Sequence, residues 1–478
     1  MTISDRRRYS SAFLKTSLRA SLGAFLGLAC SSLMLAGCSR STLESTSSVD
    51  SNDETLAVWW EQGYYAQEDE AIAAAIEQWQ TKTGNKVELS FIDQDTILKE
   101  TQNALSAGNP PALMYSHRTE ETLSSLWAKE GKLADVSDVV KPLESVYSPT
   151  AIKSASLYNA QAGKTSIYAV PLNQKTTHLH YSKTLLKKAG LKETDIPTEW
   201  SAFWDFWKQA QDNLRAQGDT QTYGLGLPMS SEGHDTYNTF EQVLEAYDVQ
   251  LLDENGVLQA SRAEVKQGVV EALSWYTNLY AEGYVPPAAT DWRNRDNNIA
   301  FLNEELLLVA NPTLSIPGSQ REDDATYKGK IATVEFPNEP DGDPPQYRVS
   351  VQQVVVFEAS PNKALAKDFL SYLMQPENIG PYVEGTLGRF FPAMPALTEK
   401  PFWNDASDPH VFVATKQFQS DKTSPQGHQL NPAYGLVQSE NVWGLAIEKV
   451  VVDKVTPEAA ATEALSRIEE IFSEWEQS

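Results

Sequence analysis

The stretch "TLAVWWEQGYYAQEDEAIAAAIEQWQTKTGNKVELSFIDQDTILKETQNALSAGNPPALMYSHR", Thr55 to Arg118, decides the fold. Leu56 to Trp60 is a short apolar run of strand length. From Glu68 to Thr83, Ile72, Ile76 and Trp79 recur at helical spacing, and Gly84 supplies a stop. Val87, Leu89 and Phe91 alternate as a second strand. Asp95 to Ala107 carries Ile97, Leu98, Thr101 and Leu105 on one helical face, and Ala112 to Tyr115 is a third short strand. The order β-α-β-α-β predicts a parallel sheet with covering helices. Ligands of such sheets lie beyond the carboxyl ends of the strands. Those ends are Trp60-Glu61-Gln62 and Ser116-His117-Arg118. Trp59 and Trp60 fall on opposite faces of an extended chain, so one is expected in the core and Trp60 toward the cleft.

The whole chain has 478 residues, too long for one ordinary core, which predicts two lobes. A hydrophobic share of 41% and an aromatic share of 10% exclude global disorder. The formal charge of −25 excludes nucleic acid and anionic lipid as main partners, since both need clustered Lys and Arg. It leaves room for a small ligand in a locally neutral cleft.

The N-terminus has the form of a secretory leader over residues 1–37. Arg6, Arg7 and Arg8, with Lys15 and Arg19, precede the apolar run Ala20 to Ala36, which is short for a membrane-spanning helix. Leu35-Ala36-Gly37-Cys38 resembles the lipobox of bacterial lipoproteins. That resemblance implies cleavage before Cys38 and diacylation of its sulfur, and two acyl chains anchor stably where one does not. Cleavage would remove five basic residues and one acidic one, leaving a charge of −29. It would also remove Cys30, so Cys38 would be the sole thiol, and disulfide, Cys-metal and redox chemistry are not expected. The polar residues to Glu54 complete a flexible tether over 38–54.

Downstream, "SIYAVPLNQKTTHLHYSKTLLKKAGL", Ser166 to Leu191, breaks a strand with a proline and resumes alternation. Such a break fits a crossing between lobes better than a continuous central strand. Thr198 is placed to cap a helix that carries Trp200, Phe203, Trp204 and Trp207 at core spacing. Asn338 to Pro345 is acidic and proline-rich, a surface loop, and Asn441 to Trp475 has helical character.

Several segments occur together in a known order: "IEQWQTKTGNKVELS", "ALSAGNPPALMYS", "YAVPLNQKTTHLHYSKTLLKKAGL" followed by "IPTEWSAFWDF", "FLNEELLLVANP" and "SPNKALAKDFLSYL". With the lipobox, this set resembles the extracellular solute-binding proteins of ABC importers, in their carbohydrate-binding group. The resemblance implies an α/β, two-lobed, Venus-flytrap fold of type II-like form with three interlobe crossings. These are expected near Pro171, Lys328 to Ile331 and Lys367 to Leu373. Lobe one would be 55–170 plus 329–369, and lobe two 171–328 plus 370–478. Closure about the hinges would grip a ligand in the cleft. The implied partners are a small-molecule carbohydrate and the permease subunits of the transporter. The protein would be a monomer without cofactor, lipid-anchored and facing the periplasm or cell exterior.

A sugar presents apolar C–H faces and a hydroxyl rim, so aromatic rings cover the faces while charged and amide groups pair with the rim. The ligand contacts expected on this basis and from the resemblance are Trp60, Glu61, Tyr64, Ser116, His117, Asn173, Tyr237, Asn238, Trp292, Asn311, Arg389 and Trp443. Tyr237 and Asn238 match a region where relatives present an aromatic contact. Asn311 matches a binding corner, and Trp443 a tryptophan that stacks on sugar. His178-x-His180 lacks a third ligand nearby, so no metal site is expected. Arg118, Lys175 and Arg389 motivate an alternative ligand, an anionic polyol such as glycerol phosphate. No GxSxG, HExxH or P-loop string occurs. A lipoprotein glycosidase would need two carboxyl groups about 5–10 Å apart, and the resemblance implies binding without turnover instead.

Overall fold

The structure is a computed structural model that describes residues 55–418 and 422–477. The leader, Cys38 and the whole tether lie outside the described residues, so the lipidation expectation is carried by sequence alone. Strand Thr55–Glu61 pairs in parallel with Lys86–Ile92 on one side and Leu113–Tyr115 on the other. Helices Ala66–Thr83 and Ile97–Ser106 make the crossovers. Gly84 ends the first of them at φ 78, where a side chain would be strained, and its N–H returns to the Gln80 carbonyl at 2.8 Å.

The first sheet runs Phe391–Pro392, Val170–Lys175, Tyr347–Val356, Leu113–Tyr115, Thr55–Glu61, Lys86–Ile92. Thr423–Pro425 adds to one end of Tyr347–Val356. Strand alternation fills both faces. Leu56, Val58, Trp60, Leu113 and Tyr115 enter one core, and Met114, Val355 and Phe357 enter the other.

The second sheet runs Ile331–Val334, His178–Ser182, Leu306–Asn311, Tyr223–Gly226. Its core takes the aromatic stripe of helix Trp200–Ala216, where Trp200 packs 4.9 Å from Trp275 between ring centres. That helix begins one residue later than a Thr198 cap requires: Glu199 holds the cap position, without a side-chain bond. His178 and His180 are buried, bonded to Gln417 and to Thr333 (2.9 Å for the latter).

The crossings fall elsewhere than expected. Val170–Lys175 pairs with Tyr347–Val356, so the proline at 171 is inside the first lobe and the chain crosses at Thr176-Thr177. Pro171 is tolerated because a register shift lies at that point of the ladder. Ile331–Val334 pairs with His178–Ser182, so the second crossing is the polar loop 335–346. Helix Lys363–Leu373 buries Ala366, Phe369, Leu370 and Leu373 in the first core, so the chain does not leave there. It returns only after Pro425, since Ala433, Tyr434 and Val437 belong to the second core. The third boundary therefore moves from 369 to beyond 425.

Candidate functional site

The carboxyl ends of strands from both sheets meet at one pocket. Tyr64 follows Thr55–Glu61, Gln94 follows Lys86–Ile92, and His117 and Arg118 follow Leu113–Tyr115. Lys175 ends the crossing strand, and Arg389 precedes Phe391–Pro392. From the second lobe come His234, Asp235 and Asn238 on the first turn of helix His234–Ala246. Asn294, Arg295 and Asn298 lie at the start of helix Asp296–Leu302, and Asn311, Thr313 and Ser315 follow Leu306–Asn311. Both lobes thus obey the strand-end rule.

Three of the four cations of this pocket are matched with carboxylates. Arg389 Nη1 donates to Glu68 Oε2 at 2.7 Å, and its guanidinium lies 4.7 Å from the centre of the Phe390 ring. Lys175 Nζ stands 2.8 Å from Glu121 and donates to the His117 carbonyl at 2.9 Å. Arg295 reaches Asp93 at 4.0 Å across the two lobes and covers the Tyr64 ring at 5.5 Å. Arg118 donates to the Gln94 carbonyl.

Glu61 is the anchor behind His117. Its Oε2 accepts from Ser116 Oγ at 2.6 Å, and its Oε1 bonds His117 Nδ1. Burial pushes the Glu61 carboxyl up, but His117, Arg389 and Ser116 outweigh it and hold it at about 2. Burial lowers His117 to about 4. A neutral imidazole that gives its Nδ1 proton to a carboxylate keeps Nε2 as an acceptor for a hydroxyl. Burial raises Asp235 to about 7, against Lys175 and a bond from Asn297 Nδ2 at 3.2 Å. It raises Glu68 to about 6, against Arg389. Asn311 bonds Asn298, whose Nδ2 donates to Ser315 Oγ at 3.0 Å, so an amide-hydroxyl ladder fixes that wall.

Of the residues expected at the ligand, Tyr64, His117, Asn238, Asn311 and Arg389 come together in the pocket wall. Glu61 and Ser116 lie one layer behind. Asn173 is buried in the strand beside Lys175. The tryptophans go elsewhere. Trp60 is packed 4.5 Å from Tyr115 and edge-on to Tyr382 in the first core. Trp292 and Trp443 are in the second core. Trp443 Nε1 donates to Glu241 Oε1 at 2.9 Å, with Tyr434 bonded to the same oxygen and Tyr237 buried nearby. The reason is spacing: Trp443 shares a helical face with Ile447, so packing claims it. Sequence reasoning missed Gln94, His234, Asp235, Arg295, Asn298 and Ser315. The strand-end rule, extended to the second sheet, would have found Ser315 just past Leu306–Asn311, whereas Arg295 and Asn298 precede that strand.

Lobe contacts frame the pocket. Leu314 N donates to the Arg389 carbonyl at 3.3 Å, and the Leu314 side chain is buried in the first-lobe core although it follows strand Leu306–Asn311 of the second sheet. Gln67 donates to Glu322 at 2.6 Å, and Gly318 lies against the Tyr65 ring. Among the described residues no cluster of three or more His, Cys, Asp or Glu could hold a metal. No described helix is long and apolar enough to cross a membrane.

A binding protein of Brucella abortus is 22% identical over 311 residues, covering 65% of this chain and 68% of that protein. An ABC transporter solute-binding protein of Thermotoga lettingae, solved with α-D-tagatose, superposes with a TM-score of 0.72 at 21% identity, over 87% of this chain and 99% of that one. T. maritima MalE3, solved with maltose, superposes at 0.69 and 19% identity, over 87% and 100%. These likenesses establish the two-lobed periplasmic binding fold. The model of the bacterial extracellular solute-binding proteins matches residues 74–413, and the chain belongs to that family.

Proposed function

We propose that this protein captures a neutral carbohydrate, an oligosaccharide, disaccharide or glycosyl-polyol, between its lobes and delivers it to the permease of an ABC importer. One observation carries the reading: the pocket combines amides and hydroxyls with four cations, of which three already hold carboxylates and Arg118 donates to a backbone carbonyl. Arg389 has Glu68, Lys175 has Glu121 and Arg295 has Asp93. A charge-balanced, polar wall suits a ligand with many hydroxyls and no net charge. The sugars held by the solved relatives, tagatose and maltose, support the same class. Within it, Tyr64, His117, Asn238, Asn311 and Arg389 are the proposed ligand contacts, with Glu61 and Ser116 orienting His117. Titration calorimetry against mono-, di- and trisaccharides and glycosyl-polyols tests it; silence across the panel ends it.

A second reading has one favouring observation: Arg118, Lys175, Arg295 and Arg389 all line the pocket. An anionic polyol such as glycerol phosphate would then bind with affinity that falls steeply with salt. A salt-independent affinity for a neutral sugar decides against it. Chromatography of disaccharides after long incubation separates a binder, which returns them intact, from a glycosidase. Anchoring through Cys38 is tested by labelling with a fatty-acid precursor, which Cys38→Ser should abolish while releasing the protein from membranes.

A further inference from the structure

Gln174 and Lys175 are neighbours on strand Val170–Lys175, so their side chains leave it on opposite faces. Lys175 lines the pocket between the lobes, whereas Gln174 lines a second cavity of about 740 Å³. Val349 of strand Tyr347–Val356 and Ser424 of strand Thr423–Pro425 share the wall of this second cavity. No described residue lines both spaces. The remaining wall is first-lobe structure: the start of helix Pro149–Ala155 and the segment 395–418. Trp403, Phe412 and Phe418 line it with rings. Lys416 Nζ stands 4.3 Å from the centre of the Phe412 ring. Lys416 and Glu399 are exposed on the same wall, and neither has an oppositely charged partner among the described residues.

A concave space of roughly 300–1,000 Å³ with aromatic walls and a few polar groups has the size and character of a small-molecule site. The polar groups decide which molecule. Thr398 Oγ1 donates to the Pro395 carbonyl and Thr415 Oγ1 to the Val411 carbonyl, each at 2.7 Å, so both hydroxyls have spent their protons. One ammonium and one carboxylate remain uncommitted. A sugar answers neither charge. A molecule that carries a carboxylate and an ammonium answers both, through charge-assisted hydrogen bonds, and a flat ring suits the aromatic walls. We propose that this cavity is a second binding site, separate from the interlobe pocket, for a zwitterion bearing an aromatic ring, the chemistry of an aromatic amino acid. Lys416 takes its carboxylate, Glu399 its ammonium, and Trp403, Phe412 and Phe418 its ring. The site is independent of the carbohydrate reading and holds whatever the interlobe pocket takes.

The test is calorimetry on the full chain with L-phenylalanine and L-tryptophan. Two sets of analogues accompany them: 3-phenylpropionate and 3-indolepropionate, which lack the ammonium, and phenethylamine and tryptamine, which lack the carboxylate. At least one amino acid should bind, about tenfold or more tightly than either of its analogues. Lys416→Gln should erase its margin over the amine, and Glu399→Gln its margin over the propionate. Both positions are exposed, so both variants should fold as wild type does. Three results would overturn the site: no heat from either amino acid at millimolar concentration, equal affinity for an amino acid and its one-charge analogues, or a margin unmoved in either variant. Each of them leaves the carbohydrate reading standing, because none concerns the interlobe pocket.

Discussion

Arg389 and Glu68 form a buried ion pair at 2.7 Å, with side chains 5% and 9% exposed, beneath the pocket they border. Removing one member of such a pair strands the other charge. Arg389→Ala should therefore cost about 3–5 kcal/mol of stability, read by urea unfolding, and abolish ligand binding. Arg389→Lys keeps the charge but loses the planar contact with Phe390, and should recover stability more than affinity.

Glu61 fixes the acid limb of stability. Its folded pKa, about 2, lies below the unfolded value, so its contribution is present above about pH 4.5 and is lost as pH falls toward 2. His117, lowered to about 4, adds in the same sense: its contribution is present above about 6.5 and lost as pH falls through 4. Glu61→Gln should flatten acid unfolding between pH 5 and 2. It should also weaken ligand binding about tenfold, because the imidazole loses the carboxylate that sets its tautomer.

Asp235 has the opposite sign. Its folded pKa, about 7, is raised by burial, so its favourable term is complete below about pH 4 and is lost as pH rises through 7. Lys175, Arg118 and Arg389 act on it, and Asn297 donates to it. Asp235→Asn removes that titration. Relative to wild type, the variant should gain about 2 kcal/mol between pH 5 and pH 8, measured by denaturant unfolding at both values.

Gly318 sits where a Cβ would come 2.6 Å from Tyr65 Oη, and that hydroxyl donates to the Thr386 carbonyl. Gly318→Ala should hinder seating of the second lobe on the first. Overpacking of this kind costs about 1–3 kcal/mol, so affinity should drop about five- to hundredfold. Small-angle scattering should report a larger radius of gyration with ligand than wild type shows.

Trp443→Ala should act as a core deletion. Its ring is fully buried, and its loss opens a cavity and removes one of the two donors to Glu241 Oε1. We expect about 3–5 kcal/mol of destabilisation, seen as a lowered unfolding midpoint with or without sugar.

The first lobe was legible because its strands and helices alternate in sequence as they do in space. Val87-Leu89-Phe91 and Ile72-Ile76-Trp79 each carry one clear period, and their order gives a parallel sheet. The crossings were not legible, because pairing partners such as Gln174 and Val351 lie far apart in the chain and no local pattern announces them. Pro171 looked like a boundary, yet the irregular ladder beside it absorbs the missing N–H. Polar residues of the pocket wall such as His117 and Asn311 were legible because strand ends have a position rule. The tryptophans misled because a large ring suits a core as well as a sugar, and only packing decides between them. Asp235 and Arg295 escaped because a charged residue at a helix start is ordinary on any surface.

The first sheet is assembled from pieces as distant as Thr55–Glu61 and Thr423–Pro425, and Trp79 bonds Asp368 across 289 positions. Closing such long loops is slow, because entropy is spent before contacts repay it. Neither half can complete itself until nearly the whole polypeptide has left the ribosome. Both cores therefore stay incomplete through most of the chain's synthesis.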